Sequence, residues 1–224
     1  MKKTIILSQS TIDEKFSGII KNGIETWASK SNFPVIFYSG GKTLDYSGNI
    51  LTVPVDDRDN VIIENERFDF RAEKFISALE YCFENFDFDF LYRTTCTSYI
   101  NTSTLNDYIQ NSRNFKVFDG ALNMDSLGRR FIGTYNCLMS RDVVEQILLN
   151  KEYYLSIKEN EDLALGILVY SKLQYIDELD YPINKNFDLR YCLFEDTYRK
   201  EIVCYKLKSE EPEAMIKIFS EQYR

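Results

Sequence analysis

Apolar runs alternate with amphipathic stretches through the first hundred residues. Short apolar segments with the length and composition of buried strands lie at residues 4–7, 34–38, 50–55 and 88–92. Between them, residues 14–30 and 69–85 repeat apolar side chains every three or four positions, which predicts helices packed against a sheet. This alternation predicts an α/β fold with a mostly parallel central sheet flanked by helices.

The second half of the chain has a less regular pattern. We predict helices at residues 102–111, 141–150, 161–170 and from 212 onward, and strands at 115–118, 131–139 and within 190–207. The polar, glycine-containing segment 121–130 predicts a mobile loop over the end of the sheet. We expect this half to form a smaller region beside the main sheet.

Small polar residues follow the strand at residues 88–92. Ligands of open α/β sheets bind where parallel strands reach their carboxyl ends. Residues 94–98, with the sequence TTCTS, are therefore a candidate site. The same residues would equally serve as the turn that ends a strand.

Composition narrows the functional classes. The 224 residues are enough for one sizeable core, and we predict a single domain. The net charge of −8 argues against nucleic-acid binding, which requires Lys and Arg to neutralise phosphates. The five cysteines are scattered without a CxxC pair, which predicts reduced thiols and a cytoplasmic location. No apolar run has the length of a transmembrane segment.

The sequence contains no histidine. This absence excludes Ser-His-Asp and Cys-His hydrolases and leaves Asp or Glu as the most plausible general base. Glu161 and Asp162 begin an otherwise apolar helix, where a carboxylate either caps the helix or acts as a base held on a rigid element. Asp57 and Asp59 follow the strand at residues 50–55, and they form either an ordinary charged loop or a Mn²⁺ or Mg²⁺ site.

Three segments in the same order resemble motifs of the fringe and β-1,3-galactosyltransferase group. Residues 93–101, RTTCTSYIN, resemble that group's KTDDDxFVN segment. Residues 133–144, GTYNCLMSRDVV, resemble its GxxYvlSrdlv segment, and residues 161–166, EDLALG, resemble its EDVxxG segment. Lys74 resembles a lysine that lies upstream of these motifs in the group.

The resemblance implies a GT-A fold and an inverting transfer from a nucleotide-sugar donor, usually a UDP-sugar, to a glycan or polysaccharide. Residues 1–101 would bind the donor and residues 102–224 the acceptor, with Asp162 as the base that deprotonates the acceptor hydroxyl. We assign donor binding to Ser8, Ser10, Tyr38, Ser39, Lys74, Arg93, Thr95 and Thr97. We assign the acceptor side to Gly133, Thr134, Tyr135 and Glu161.

The chain departs from the group at the metal site. Thr95, Cys96 and Thr97 stand where the group has three aspartates, and Cys204 stands where a later metal-binding histidine would be expected. We therefore expect no metal cofactor, with basic side chains neutralising the diphosphate. The candidates are Lys206, Lys208, Arg93, Arg129 and Arg130.

A second interpretation stays open. The protein would then be a degenerate member that binds a sugar, a nucleotide or a partner without catalysis. A nucleotidyltransferase is disfavoured because no glycine-rich basic loop follows the first strand.

Overall fold

A computed structural model describes residues 1–58, 61–63, 66–68, 70–173, 191–193, 197–207 and 212–223. Its strands are β1 (Thr4–Gln9), β2 (Val35–Gly40), β3 (Asp45–Ser47), β4 (Ile50–Val53), β5 (Val61–Ile63), β6 (Glu66–Phe68), β7 (Phe90–Thr95), β8 (Ser98–Ile100), β9 (Phe118–Met124), β10 (Arg130–Ser140), β11 (Tyr191–Leu193) and β12 (Cys204–Lys206). Its α-helices are α1 (Glu14–Glu25), α2 (Phe70–Asn85), α3 (Thr102–Asn111), α4 (Arg141–Leu149), α5 (Lys151–Ser156), α6 (Glu161–Gly166) and α7 (Pro212–Gln222). Ala28–Lys30 is a 3₁₀ turn, and Ile167–Lys172 continues α6 as a π-helix.

The central sheet has seven strands in the order β3-β4-β2-β1-β7-β10-β9. Strands β4, β2, β1 and β7 are parallel, whereas β3, β10 and β9 each run antiparallel to a neighbour. Across the sheet, these four parallel strands are the third, second, first and fourth in chain order, as in doubly wound nucleotide-binding sheets. The prediction of an α/β fold with a mostly parallel sheet is thus confirmed.

Both faces of this sheet are covered. Alternate residues of β1 point to opposite sides, so Ile5 and Leu7 join one core while Ile6 joins the other. The first core includes apolar residues of α2, α4 and α6, and the second includes those of α1, α3 and α7. The near-continuous apolar runs in the sequence reflect this burial on two sides.

A second, three-stranded sheet forms beside the end of β7. Its order is β11-β12-β8, and β12 runs antiparallel to β8. The backbone N–H of Leu207 donates to the carbonyl of Thr97 at 2.8 Å, which extends this pairing. The pairing brings residues 204–206 against the polar segment that follows β7.

Some bounds of the predicted elements were wrong, including those of the strand predicted at residues 115–118, which is observed at Phe118–Met124. The strand predicted at residues 88–92 runs from Phe90 to Thr95, because β-branched threonines fit a strand as well as a turn. Part of the loop predicted at 121–130 belongs instead to β9, which pairs with β10 through residues 122–124. The final helix begins at Pro212 as predicted. Among the described residues, no helix has the length and apolar character needed to cross a membrane.

Candidate functional site

The side on which successive parallel strands join the sheet changes at β1. After β1 the next parallel strands are added on one side, and β7 is then added on the other. The carboxyl ends of β1 and β7 therefore form the switch point of the sheet, where ligands of doubly wound sheets bind. Gln9 and Thr95 are paired residues at this edge.

A lysine faces the end of β7. Lys206, on β12, donates from Nζ to Thr95 Oγ1 at 2.5 Å and also to the hydroxyl of Thr97. The two hydroxyls lie 3.2 Å apart, and Thr95 also contacts Ser98 Oγ at 3.2 Å. The ammonium lies 6.0 Å from the ring centroid of Tyr135. A positive charge thus sits at the polar end of β7.

Burial lowers the pKa of Lys206, although Cys204, Cys96 and Asp162 act in the opposite direction. Burial also raises the pKa of the Cys204 thiol. These residues fit a divalent metal poorly, because such ions prefer carboxylate and carbonyl oxygens rather than hydroxyls beside an ammonium. Across the described parts of the chain, no group of three or more His, Cys, Asp or Glu side chains is arranged to hold a metal ion.

Asp162 lies in the first turn of α6, which packs against β10. Asn160 caps this helix by accepting the N–H of Leu163 at 3.0 Å. The Oδ1 atom of Asp162 accepts the N–H of Thr134 at 3.1 Å. Asp162 is partly exposed, and its charge acts on Lys206.

Arg93 and Glu161, the residue before Asp162, form a buried ion pair. Arg93 Nη2 contacts Glu161 Oε1, and the two side chains are 0% and 2% exposed. The same nitrogen donates to Gln9 Oε1 at 2.8 Å and to the Tyr38 hydroxyl at 3.2 Å. Burial raises the pKa of Glu161 in spite of Arg93. Burial alone would lower the pKa of Arg93, but Glu161, Tyr38, Tyr154 and Asp162 together outweigh it and raise that pKa.

The predicted donor residues on the first strands lie mostly inside the protein. Ser8, Ser10, Tyr38 and Ser39 are at most 6% exposed. The Ser10 hydroxyl donates to the Tyr38 carbonyl at 2.9 Å, and Tyr38 reaches Gln9 and Arg93 as described above. Arg93 and Glu161, assigned to the donor and the acceptor, bind each other instead. Direct contacts of these residues with substrate remain predictions.

Asp57 and Lys74 tie the ends of three strands together. Asp57 accepts the N–H groups of Ile12 and Gly40, both at 2.7 Å, and the Thr11 hydroxyl. The buried Lys74 Nζ donates to the Asp57 carbonyl at 2.9 Å. These contacts give Asp57 and Lys74 a structural role in this state. The alternative metal site also needs Asp59, which lies outside the described residues.

An open cleft of about 780 Å³ lies beside Asp57, at the carboxyl ends of β1, β2 and β4. Phe16 and Lys42 line it, together with residues 11–13 and 55–58. Apart from Asp57, these positions could not be predicted from the sequence, because they lie in loops whose convergence depends on the strand order. Their one available signal was that each loop directly follows an apolar strand.

The remaining predicted residues surround β10. The Tyr135 ring packs against Gly133, where an added Cβ would lie 2.6 Å from a ring carbon. Thr134 is 6% exposed and contacts Asp162 through its backbone. Arg129 is bound by Asp125 and Glu159, at 2.7 and 2.8 Å. The side chain of Arg130, and Lys208 as a whole, lie outside what the structure describes.

Neither the protein-family models nor the curated proteins compared with this chain match it. The resemblance to the fringe and β-1,3-galactosyltransferase group therefore stays a prediction from the sequence.

Proposed function

We propose that the protein is an inverting glycosyltransferase with a GT-A fold. It would transfer a sugar from a nucleotide-sugar donor, expected to be a UDP-sugar, to a glycan or polysaccharide acceptor without a metal ion. The observation that carries this proposal is the Lys206 ammonium bound between the hydroxyls of Thr95 and Thr97. It supports the proposal because it supplies positive charge at the ligand-binding edge of the sheet, where the sequence lacks metal-binding carboxylates.

The roles of the two charged groups follow from the reaction. Asp162 takes the proton of the acceptor hydroxyl as its oxygen attacks the anomeric carbon of the donor sugar. The bond from that carbon to the diphosphate breaks on the opposite face, so the configuration inverts. Lys206 binds the diphosphate and neutralises the negative charge that develops on the leaving oxygen. In this proposal Asp162 acts at the attacking oxygen, and Lys206 acts at the leaving oxygen.

The cellular location belongs to the same proposal. The four cysteines whose side chains are described, Cys82, Cys96, Cys137 and Cys204, are buried free thiols. Buried free thiols are compatible with the reducing cytoplasm. We propose that the enzyme uses cytoplasmic nucleotide sugars.

A non-catalytic binding protein is a second candidate. One observation favours it: the Asp162 carboxylate already accepts a backbone hydrogen bond, from Thr134. A residue with only this structural role would hold α6 against β10 without taking a proton. Donor binding alone would then be the function of the sheet edge.

The substitution Asp162→Asn separates these candidates. Asparagine keeps an oxygen for the Thr134 N–H, so we expect the variant to fold and to bind donor normally. Loss of a general base should lower kcat about 10²–10⁴-fold. Transfer is measured with a panel of UDP- and GDP-sugars and glycan acceptors, after a thermal-shift screen identifies the donor.

A matched control is Asp142→Asn. Asp142 also lies in the first turn of a helix and accepts a backbone N–H, from Lys116 at 2.9 Å. We expect this variant to retain wild-type turnover. Unchanged turnover in Asp162→Asn would refute the assigned base, and donor binding without transfer by the wild-type protein would favour the binding protein.

A further inference from the structure

The Arg93–Glu161 ion pair is costly for the stability of the fold. Both charged groups are removed from water, with side chains 0% and 2% exposed. The desolvation cost of such a pair often exceeds the attraction between its charges, and apolar side chains of similar volume are often as stable or more stable. Stability alone therefore does not explain the pair.

The guanidinium of Arg93 is held from several directions. Its Nη2 atom contacts Gln9 on β1, Tyr38 on β2 and Glu161 on α6. Its central carbon lies 3.7 Å from the ring centroid of Phe75 on α2. These contacts hold the Arg93 guanidinium in one position inside the protein. Glu161 is the residue of α6 that binds it.

The network leaves other polar atoms without partners. Within the described part of the chain, Arg93 Nε, Arg93 Nη1 and the Tyr154 hydroxyl are buried and make no hydrogen bond. Buried polar atoms without partners cost free energy. The polar contacts thus converge on a single nitrogen, the one that faces Glu161, at the expense of the rest of the guanidinium.

Glu161 directly precedes Asp162 in the chain. Glu161 attaches the first residue of α6 to β7, and Asp162 attaches the second to β10 through Thr134. We propose that the Arg93–Glu161 pair positions the Asp162 carboxylate over the end of the sheet. This inference rests on the proposed function, in which Asp162 is the general base. Arg93 and Glu161 are positioning residues, since both are shielded from substrate.

The double variant Arg93→Met/Glu161→Leu tests the pair without leaving a buried charge unpaired. Apolar side chains should keep the fold, while α6 loses its directional attachment to β7. A small misplacement of a catalytic group can lower turnover about 10²-fold. We expect kcat to fall about 10–10²-fold with little change in the KM for donor. Wild-type kcat in this variant would overturn the proposal.

A double-mutant cycle shows whether the pair acts through Asp162. Placed in the Asp162→Asn background, the double variant should have little further effect on the residual rate, because the carboxylate that it misplaces is already absent. A purely structural role would lower the rate by the same factor in both backgrounds. Equal factors would therefore contradict the proposal.

Amide exchange at Thr134, followed by NMR, provides a readout that does not require transfer. In the double variant we expect exchange at this N–H to accelerate about tenfold or more, as the Asp162 contact opens more often. Asp162→Ala should show the same acceleration. Lys3→Met, which removes an exposed cation before the start of β1, should leave it unchanged. If the double variant fails to fold, Glu161→Gln, which keeps the side-chain shape, takes its place.

The two proposals fail in different ways. Wild-type exchange at Thr134 in the double variant would overturn the positioning role, whatever the activity. Absence of transfer by the wild-type protein, with faster exchange in the variant, would refute the proposed function and retain the positioning of Asp162.

Discussion

Replacing Lys206 with methionine removes the charge at the end of β7 and keeps a side chain of similar length. The Thr95 hydroxyl remains bonded to the hydroxyls of Thr97 and Ser98. Methionine can fill the space of the lysine stem. We therefore expect the free energy of unfolding to change by no more than about 1 kcal/mol.

The effect on the reaction should be much larger. Two unit charges 4 Å apart interact by about 4 kcal/mol at an effective dielectric constant of 20, which suits a partly buried site. Loss of that attraction to the diphosphate corresponds to about 10³-fold in kcat/KM for the donor. Because the leaving group gains charge during the displacement, part of this loss should appear in kcat.

Initial rates at several donor concentrations measure both parameters. Lys3→Met is the matched control, because Lys3 precedes β1 and pairs with Asp87 at the opposite edge of the sheet. We expect Lys3→Met to behave as the wild-type protein in the proposed reaction. A kcat/KM for Lys206→Met within about threefold of wild type would refute the reasoning. The attraction between an ammonium and a diphosphate cannot be that weak at a partly buried site.

Two further predictions concern pH and stability. Burial lowers the pKa of Lys206 from its ordinary value of 10.5, and only the ammonium neutralises a diphosphate, so kcat/KM should fall as pH rises through a value below 10.5. Lys206→Met should lack this alkaline limb in a pH–rate profile, and an unchanged limb would assign it to another group. Asp57→Asn should lower the free energy of unfolding by about 2–4 kcal/mol, because it replaces a charged acceptor of the Ile12 and Gly40 N–H groups with an amide. Urea unfolding measures this loss. A change below about 0.5 kcal/mol would show that the contacts of Asp57 contribute little to stability.

The parallel strands could be predicted because burial on both faces makes them apolar throughout. The end of β7 could not, since Thr94 and Thr95 are compatible with either a strand or a turn. Their side chains are satisfied by the next strand and by the second sheet: Thr94 Oγ1 donates to the Tyr135 carbonyl at 2.9 Å, and Thr95 accepts from Lys206. Only pairing across the chain decides between the two possibilities.

The sequence offers several charged residues as candidates for the site, but it does not indicate which of them bind each other. Arg93 and Lys206 were both candidates for the diphosphate. Their local sequences give no reason to separate them. The fold separates them, because Arg93 lies within β7 and points into the core. Lys206 lies on β12, beside the carboxyl end of β7.

The most direct test of the account is calorimetric titration of UDP into the wild-type protein, first in EDTA and then in excess Mn²⁺. Because Lys206 supplies the positive charge at the end of β7, the account predicts the same dissociation constant in both buffers. It also predicts binding about 10²-fold weaker or more in Lys206→Met. Binding that requires Mn²⁺ and is unaffected by Lys206→Met would contradict the account.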